Sequence, residues 1–140
     1  MRRFASLLVS LGIVWPVWPS IAKAQTPIEN TNAIRIIDYA FRPSRITVTA
    51  GTKVTFTNTG SQAHNAAGAD AVGWDTDALN QGETANVTFN KPGTYSYICT
   101  PHPFMIGQVI VTGSEVASAP AVKVEASTRR ADEAPDHSRH

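Results

Sequence analysis

The chain predicts an all-β fold, a Greek-key β-sandwich of two sheets, and three observations carry that prediction. Apolar residues alternate with threonines in short runs, and turn residues separate the runs at close spacing. Beyond the first two dozen residues no helical 3.6-residue period persists for three turns. A chain of 140 residues is long enough for one such domain and no more.

The β-pattern runs from about Ala33 to Thr112. Ile34 and Ile36, with Tyr39 as a candidate continuation, open the series. Ile46 and Val48 then alternate with Thr47 and Thr49 before a turn at Gly51-Thr52. Val54 and Phe56 alternate with Thr55 and Thr57 as far as Asn58-Thr59-Gly60. This is the period of two expected when one face meets a core and the other meets solvent. Residues 65–82 lack a clear period and read as an irregular excursion with a short helix or a poor edge strand. Its one large apolar residue, Trp74, is expected to pin it to the sandwich. Alternation resumes at Val87 and Phe89. Asn90-Lys91-Pro92-Gly93 supplies a turn, Tyr95 to Ile98 the next strand, and Ile106 to Thr112 the last.

The two ends differ from this domain. Arg2 and Arg3 precede a mostly apolar stretch from Phe4 to Trp18, and Ile21-Ala22-Lys23-Ala24 ends in the small-x-small pattern of a signal-peptidase site. Residues 1–24 are therefore read as a signal peptide and the protein as exported, to the periplasm, by the general or the twin-arginine route. A membrane anchor is the weaker reading, because Pro16, Pro19 and Ser20 interrupt a stretch barely long enough to span a bilayer. The domain is assigned to residues 25–113. Residues 114–140, rich in Ala, Ser, Pro and mixed charge, are read as a mostly disordered tail in which Val122-Lys123-Val124 could form a short edge strand.

Signal removal would take Arg2, Arg3 and Lys23 and no acid, turning a net charge of +1 into −2. No basic cluster remains to hold a nucleic-acid backbone. The domain would then keep one cysteine, Cys99, one methionine, Met105, and two histidines, His64 and His102. An unpaired cysteine in an oxidising compartment is a hazard unless it is buried or bound to something. Taken singly, His64 reads as an ordinary loop histidine and Met105 as core packing.

Jointly they read differently. Cys99-Thr100-Pro101-His102-Pro103-Phe104-Met105 spaces a thiolate, an imidazole and a thioether three residues apart in a loop between two strands. His64 follows the strand of Val54 and Phe56 and could meet that loop at one end of the sandwich. A thiolate, two imidazoles and a weak axial thioether form the donor set of a blue-copper electron-transfer site. Zinc would accept the cysteine and histidines, but a thioether is an unusual zinc ligand. The segment offers no general base aimed at a substrate, which argues against an enzyme. Pro101 and Pro103 stiffen the loop and bring no amide donor near the sulfur, which should raise the reduction potential. His137 and His140 in the tail are better explained by chance than as a second metal site.

On this loop the sequence resembles the cupredoxins, and among them the amicyanins, whose ligand loop is similarly short. The resemblance extends from about Tyr39 to Thr112 and includes Phe41-Arg42-Pro43, His64-Asn65 and Pro92-Gly93-Thr94-Tyr95. It implies one type 1 copper ion with His64, Cys99 and His102 as equatorial ligands and Met105 as the axial one. It also implies that Asn65 ties the two ligand loops together and steadies the cysteine sulfur. An apolar patch of Pro101, Pro103 and Phe104 around the His102 edge is implied as the place where electrons enter and leave. The partners so implied are redox proteins: a donor enzyme such as an amine dehydrogenase, and a c-type cytochrome or oxidase as acceptor, all met by a monomer. A copper carrier or storage protein is the alternative. Phe56, where many relatives have tryptophan, and the tail beyond Gly113 depart from the family pattern.

Overall fold

The computed structural model describes residues 27–70 and 73–128. The assigned signal peptide, His137 and His140 lie outside the described residues. Nine strands are described: β1 (Ala33–Ile37), β2 (Ala40–Arg42), β3 (Arg45–Thr49), β4 (Thr52–Asn58), β5 (Ala67–Gly68), β6 (Thr84–Phe89), β7 (Gly93–Cys99), β8 (His102–Thr112) and β9 (Val122–Thr128). They form one sheet in the order β2-β1-β4-β6-β9 and another in the order β3-β8-β7-β5. The two sheets are mixed, since β1 runs parallel to β4 and β3 parallel to β8 while the other pairs are antiparallel. No described residue is helical.

The alternation read from the sequence sets which side chains enter the space between the sheets. Ile34 and Ile36 of β1, Val54 and Phe56 of β4, Ala85, Val87 and Phe89 of β6, and Val109 and Val111 of β8 are all buried there. Thr55 and Thr57 of β4 stand on the opposite pleat and are only partly covered. Aromatic rings thicken the centre of the core. Tyr97 lies edge-on to Phe41 and Phe56 at centroid distances of 4.8 and 5.4 Å, an arrangement that the ring quadrupoles favour. Opposite Tyr97 in the β7–β8 register sits Gly107. A Cβ at that position would collide with the tyrosine ring, so the bulky ring of one strand occupies space that glycine leaves on the other.

The excursion after His64 is closed by backbone pairing rather than by a helix. Ala67 and Gly68 form the expected poor edge strand against β7, and Trp74 pins the segment by packing on Phe56, Phe89 and Tyr97. Two features differ from the sequence reading. Tyr39 does not continue the core-facing series of β1. It occupies the turn into β2 with φ of +67° and is 53% exposed. The sandwich also continues past Gly113: β9 extends from Val122 to Thr128, longer than the Val122-Lys123-Val124 edge strand, and pairs with β6. Asn90 anchors its start by donating from Nδ2 to the Pro120 carbonyl (2.8 Å) and from its backbone to Ala121 (2.9 Å). Val122 and Val124 then pack against the core. The assigned tail therefore contributes its first part to the fold, while 129–140 lie outside the described residues.

Candidate metal centre

Strand alternation aims Cys99 at the core. Tyr95, Tyr97 and Cys99 share the inward pleat of β7, and the thiol ends the strand fully buried. Met105 is likewise on the inward pleat of β8 with Val109 and Val111, and is 1% exposed. The β7–β8 register slips after Ile98: Ile106 faces Ile98, whereas His102 faces Cys99. That slip folds the intervening residues into a compact loop and brings His102 and Met105 to the strand end that carries Cys99.

His64 is delivered from the other side by the turn that leaves β4. Asn58, buried on the inward pleat, organises this turn. Its Nδ2 donates to the carbonyls of Gln62 and Leu79, both at 2.7 Å, and its Oδ1 accepts from the amide of Gly60 at 2.9 Å. A two-way backbone bridge between His64 and Leu79 then fixes the histidine, whose side chain is wholly buried. The Nδ1 atoms of both histidines face one sulfur: His64 Nδ1 lies 3.5 Å and His102 Nδ1 3.7 Å from Cys99 Sγ. One donor atom from each of the three residues lies within 4.8 Å of the others.

These distances test whether a metal ion fits. A first-row ion holds a thiolate at about 2.3 Å and an imidazole at about 2.0–2.1 Å. At ligand angles between tetrahedral and trigonal, sulfur and nitrogen then stand roughly 3.5–3.8 Å apart. The observed edges match that spacing, and the donors are a soft thiolate with two borderline imidazoles, so the residues fit a copper ion. Met105, buried one residue before the Ile106 that faces Ile98, supplies a thioether beside the strand end that carries Cys99.

Asn65 joins the two ligand-bearing loops, as the resemblance implies. Its Oδ1 accepts from the Thr100 amide at 2.8 Å, and its Nδ2 donates to Thr100 Oγ1 and to both carboxylate oxygens of Asp75. The residue after the first histidine is thus bonded to the residue after the cysteine.

Sequence reasoning missed two residues of the site. Asp38 places Oδ1 3.5 Å from His64 Nε2. Hydrogen bonds from the Gln62 and Ser61 backbone, followed by the Ser61 hydroxyl, hold its carboxyl down to about 2. Tyr39, next to it, sets its ring edge-on to His64 and His102 at 6.1 and 5.2 Å. The only signal was that Asp38-Tyr39 interrupts an apolar run. The expected patch is present: Pro101, Pro103 and Phe104 are exposed, and His102 is partly exposed among them. Tyr39 enlarges it.

The family model of copper binding proteins of the plastocyanin/azurin family matches residues 28–112. The chain belongs to this family, the cupredoxins. It is 39% identical over 94 residues to amicyanin-alpha of Methylorubrum extorquens, covering 64% of this chain and 78% of the relative. It is 34% identical over 97 residues to amicyanin of Paracoccus versutus, covering 65% and 71%. A solved purple cupredoxin from Nitrosopumilus maritimus superimposes with a TM-score of 0.54 at 30% identity, over 57% of this chain and 98% of that one. As a cupredoxin the protein is an electron carrier and not an enzyme.

Proposed function

We propose that this cupredoxin is an exported, periplasmic one-electron carrier with a single type 1 copper ion. His64, Cys99 and His102 are its strong ligands and Met105 its weak axial ligand. The observation that carries the reading is the convergence of both histidine Nδ1 atoms on the buried sulfur of Cys99. The ion supplies the Cu(I)/Cu(II) couple, and the thiolate, imidazole and thioether donors suit both oxidation states.

The protein's own residues do the rest. Complete burial of His64 and Cys99 excludes water and opposes loss of the ion. His102 alone among the strong ligands reaches the surface, so its ring edge is the exit for electrons. The surrounding apolar face suits brief encounters with other redox proteins across an interface at the small end of the known range, below about 1,200 Å². The resemblance to amicyanins supports an amine dehydrogenase as donor and a c-type cytochrome or oxidase as acceptor. The charged start, apolar stretch and Ala22-Lys23-Ala24 site support export.

Cyclic voltammetry of the copper-loaded protein tests the reading. A carrier of electrons gives a reversible one-electron wave over many cycles with the metal retained. Release of copper on reduction would instead identify a protein that delivers the ion.

A further inference from the structure

We propose that Asp38 is a positioning residue for the metal centre. Its carboxylate keeps the proton of His64 on Nε2, leaves Nδ1 free to bind metal, and biases the site toward its oxidised state. The inference rests on the electron-carrier reading above.

A neutral imidazole carries one proton, and its two nitrogens take opposite roles. In His64 one nitrogen faces the Cys99 sulfur and the other faces Asp38 Oδ1. A carboxylate can only accept, so the proton belongs on Nε2, and Nδ1 presents its lone pair toward Cys99. His64 has no exposed surface, so water is not an alternative acceptor for that N–H.

Asp38 is itself held in place. Oδ2 accepts from Ser61 Oγ at 2.8 Å and Oδ1 accepts from the Gln62 amide at 3.1 Å. Both donors lie on the segment leading to His64, so the carboxylate clasps the loop that carries the histidine it faces. Gly60 makes room for it, since a Cβ there would collide with Oδ1 and crowd the Asp38 backbone nitrogen.

The backbone bears a cost for this arrangement. Tyr39 follows with φ of +67°, a left-handed conformation that is unfavourable for a non-glycine residue. This tight reversal puts the Asp38 carboxylate and the Tyr39 ring against His64 from one turn. An outer-sphere carboxylate makes the imidazole a stronger donor, and its negative charge favours the more highly charged ion. Removing that charge should therefore raise the reduction potential.

The test uses the full exported chain with Asp38→Asn and Asp38→Ala. Nitrogen-detected NMR of the metal-free protein reads the His64 tautomer. Wild type and Asp38→Asn, whose amide oxygen still accepts, are expected to hold the Nε2–H form. Asp38→Ala is expected to lose that fixed preference. Cobalt(II) affinity should fall about 10–100-fold in Asp38→Ala, the range typical of lost outer-sphere partners. Both variants should raise the copper potential, a tenfold selective loss of cupric affinity being about 59 mV.

If either variant fails to fold, Ser61→Ala removes only one support of the carboxylate and should shift the potential the same way by less. A wild-type His64 protonated on Nδ1, or potentials unchanged in all the variants, overturns the proposal. A wild-type protein that does not cycle copper reversibly overturns the electron-carrier reading and the redox half of the proposal. The metal-free tautomer still decides the positioning half.

Discussion

The ring of Tyr39 stands edge-on to the ring of His102, with centroids 5.2 Å apart and planes at 83°. The Phe104 ring centroid lies 6.0 Å from that of His102 and 6.1 Å from that of Tyr39, so one partly exposed histidine is flanked by two exposed aromatic rings. The arrangement joins two elements distant in sequence, the β1–β2 turn and the Cys99–Met105 loop. A partner that reaches His102 must touch Tyr39 as well.

Tyr39→Lys should therefore slow electron self-exchange between two copies of the protein. Self-exchange brings like faces together, and juxtaposed like charges cost several kcal/mol, more than the roughly 1.4 kcal/mol that equals a factor of ten. NMR line broadening in mixtures of oxidised and reduced protein should show at least a ~tenfold lower rate at low salt, recovering partly as salt is added. A rate equal to wild type would remove Tyr39 from the exchange face.

Asn65→Ala should loosen the metal centre without emptying it. The substitution deletes the acceptor of the Thr100 amide and the donor to Asp75, and a lost hydrogen bond at a part-buried site costs about 1–3 kcal/mol. Denaturant unfolding should show a loss in that range. Copper transfer to a chelator should be faster than in wild type, because the two ligand loops are no longer bonded to each other at this point.

The added edge strand carries its own pH dependence. Lys53 Nζ lies 2.8 Å from Glu125 Oε2, and its hydrogen bond lowers the Glu125 carboxyl below its ordinary 4.5. The folded state thus favours the charged form. The contribution is present above about 4.5 and disappears as the pH falls through the lowered folded value. Wild type should be slightly more stable than Glu125→Gln at neutral pH, with the difference vanishing in acid. The pair is partly exposed, so the effect should be small and should shrink with salt. Denaturation midpoints of both proteins across that range measure it.

The residues that proved legible in the sequence are those governed by local rules. A period of two aims Tyr95, Tyr97 and Cys99 to one side, and Met105, Val109 and Val111 to one side, whatever the rest of the chain does. The three-residue spacing of Cys99, His102 and Met105 needed only a compact loop. Trp74 was readable because a lone large ring in a small-residue segment has few places to go. Asp38 and Tyr39 were not readable, since their roles come from a left-handed turn placed beside a histidine more than twenty residues away. An acid after Ile36-Ile37 looks like any solvated strand end. The full extent of β9 was hidden for a related reason: its Ala-Ser-Thr end has no marked pattern, and pairing with β6 organises it.

The central claim is that Cys99 and both histidines bind one copper ion. Its most direct test is the visible spectrum after adding Cu(II) to the purified wild-type protein and to Cys99→Ala. The wild type should develop an intense sulfur-to-copper charge-transfer band, and Cys99→Ala should lack it. A wild-type protein that stays colourless, or an equally strong band in Cys99→Ala, would contradict the claim.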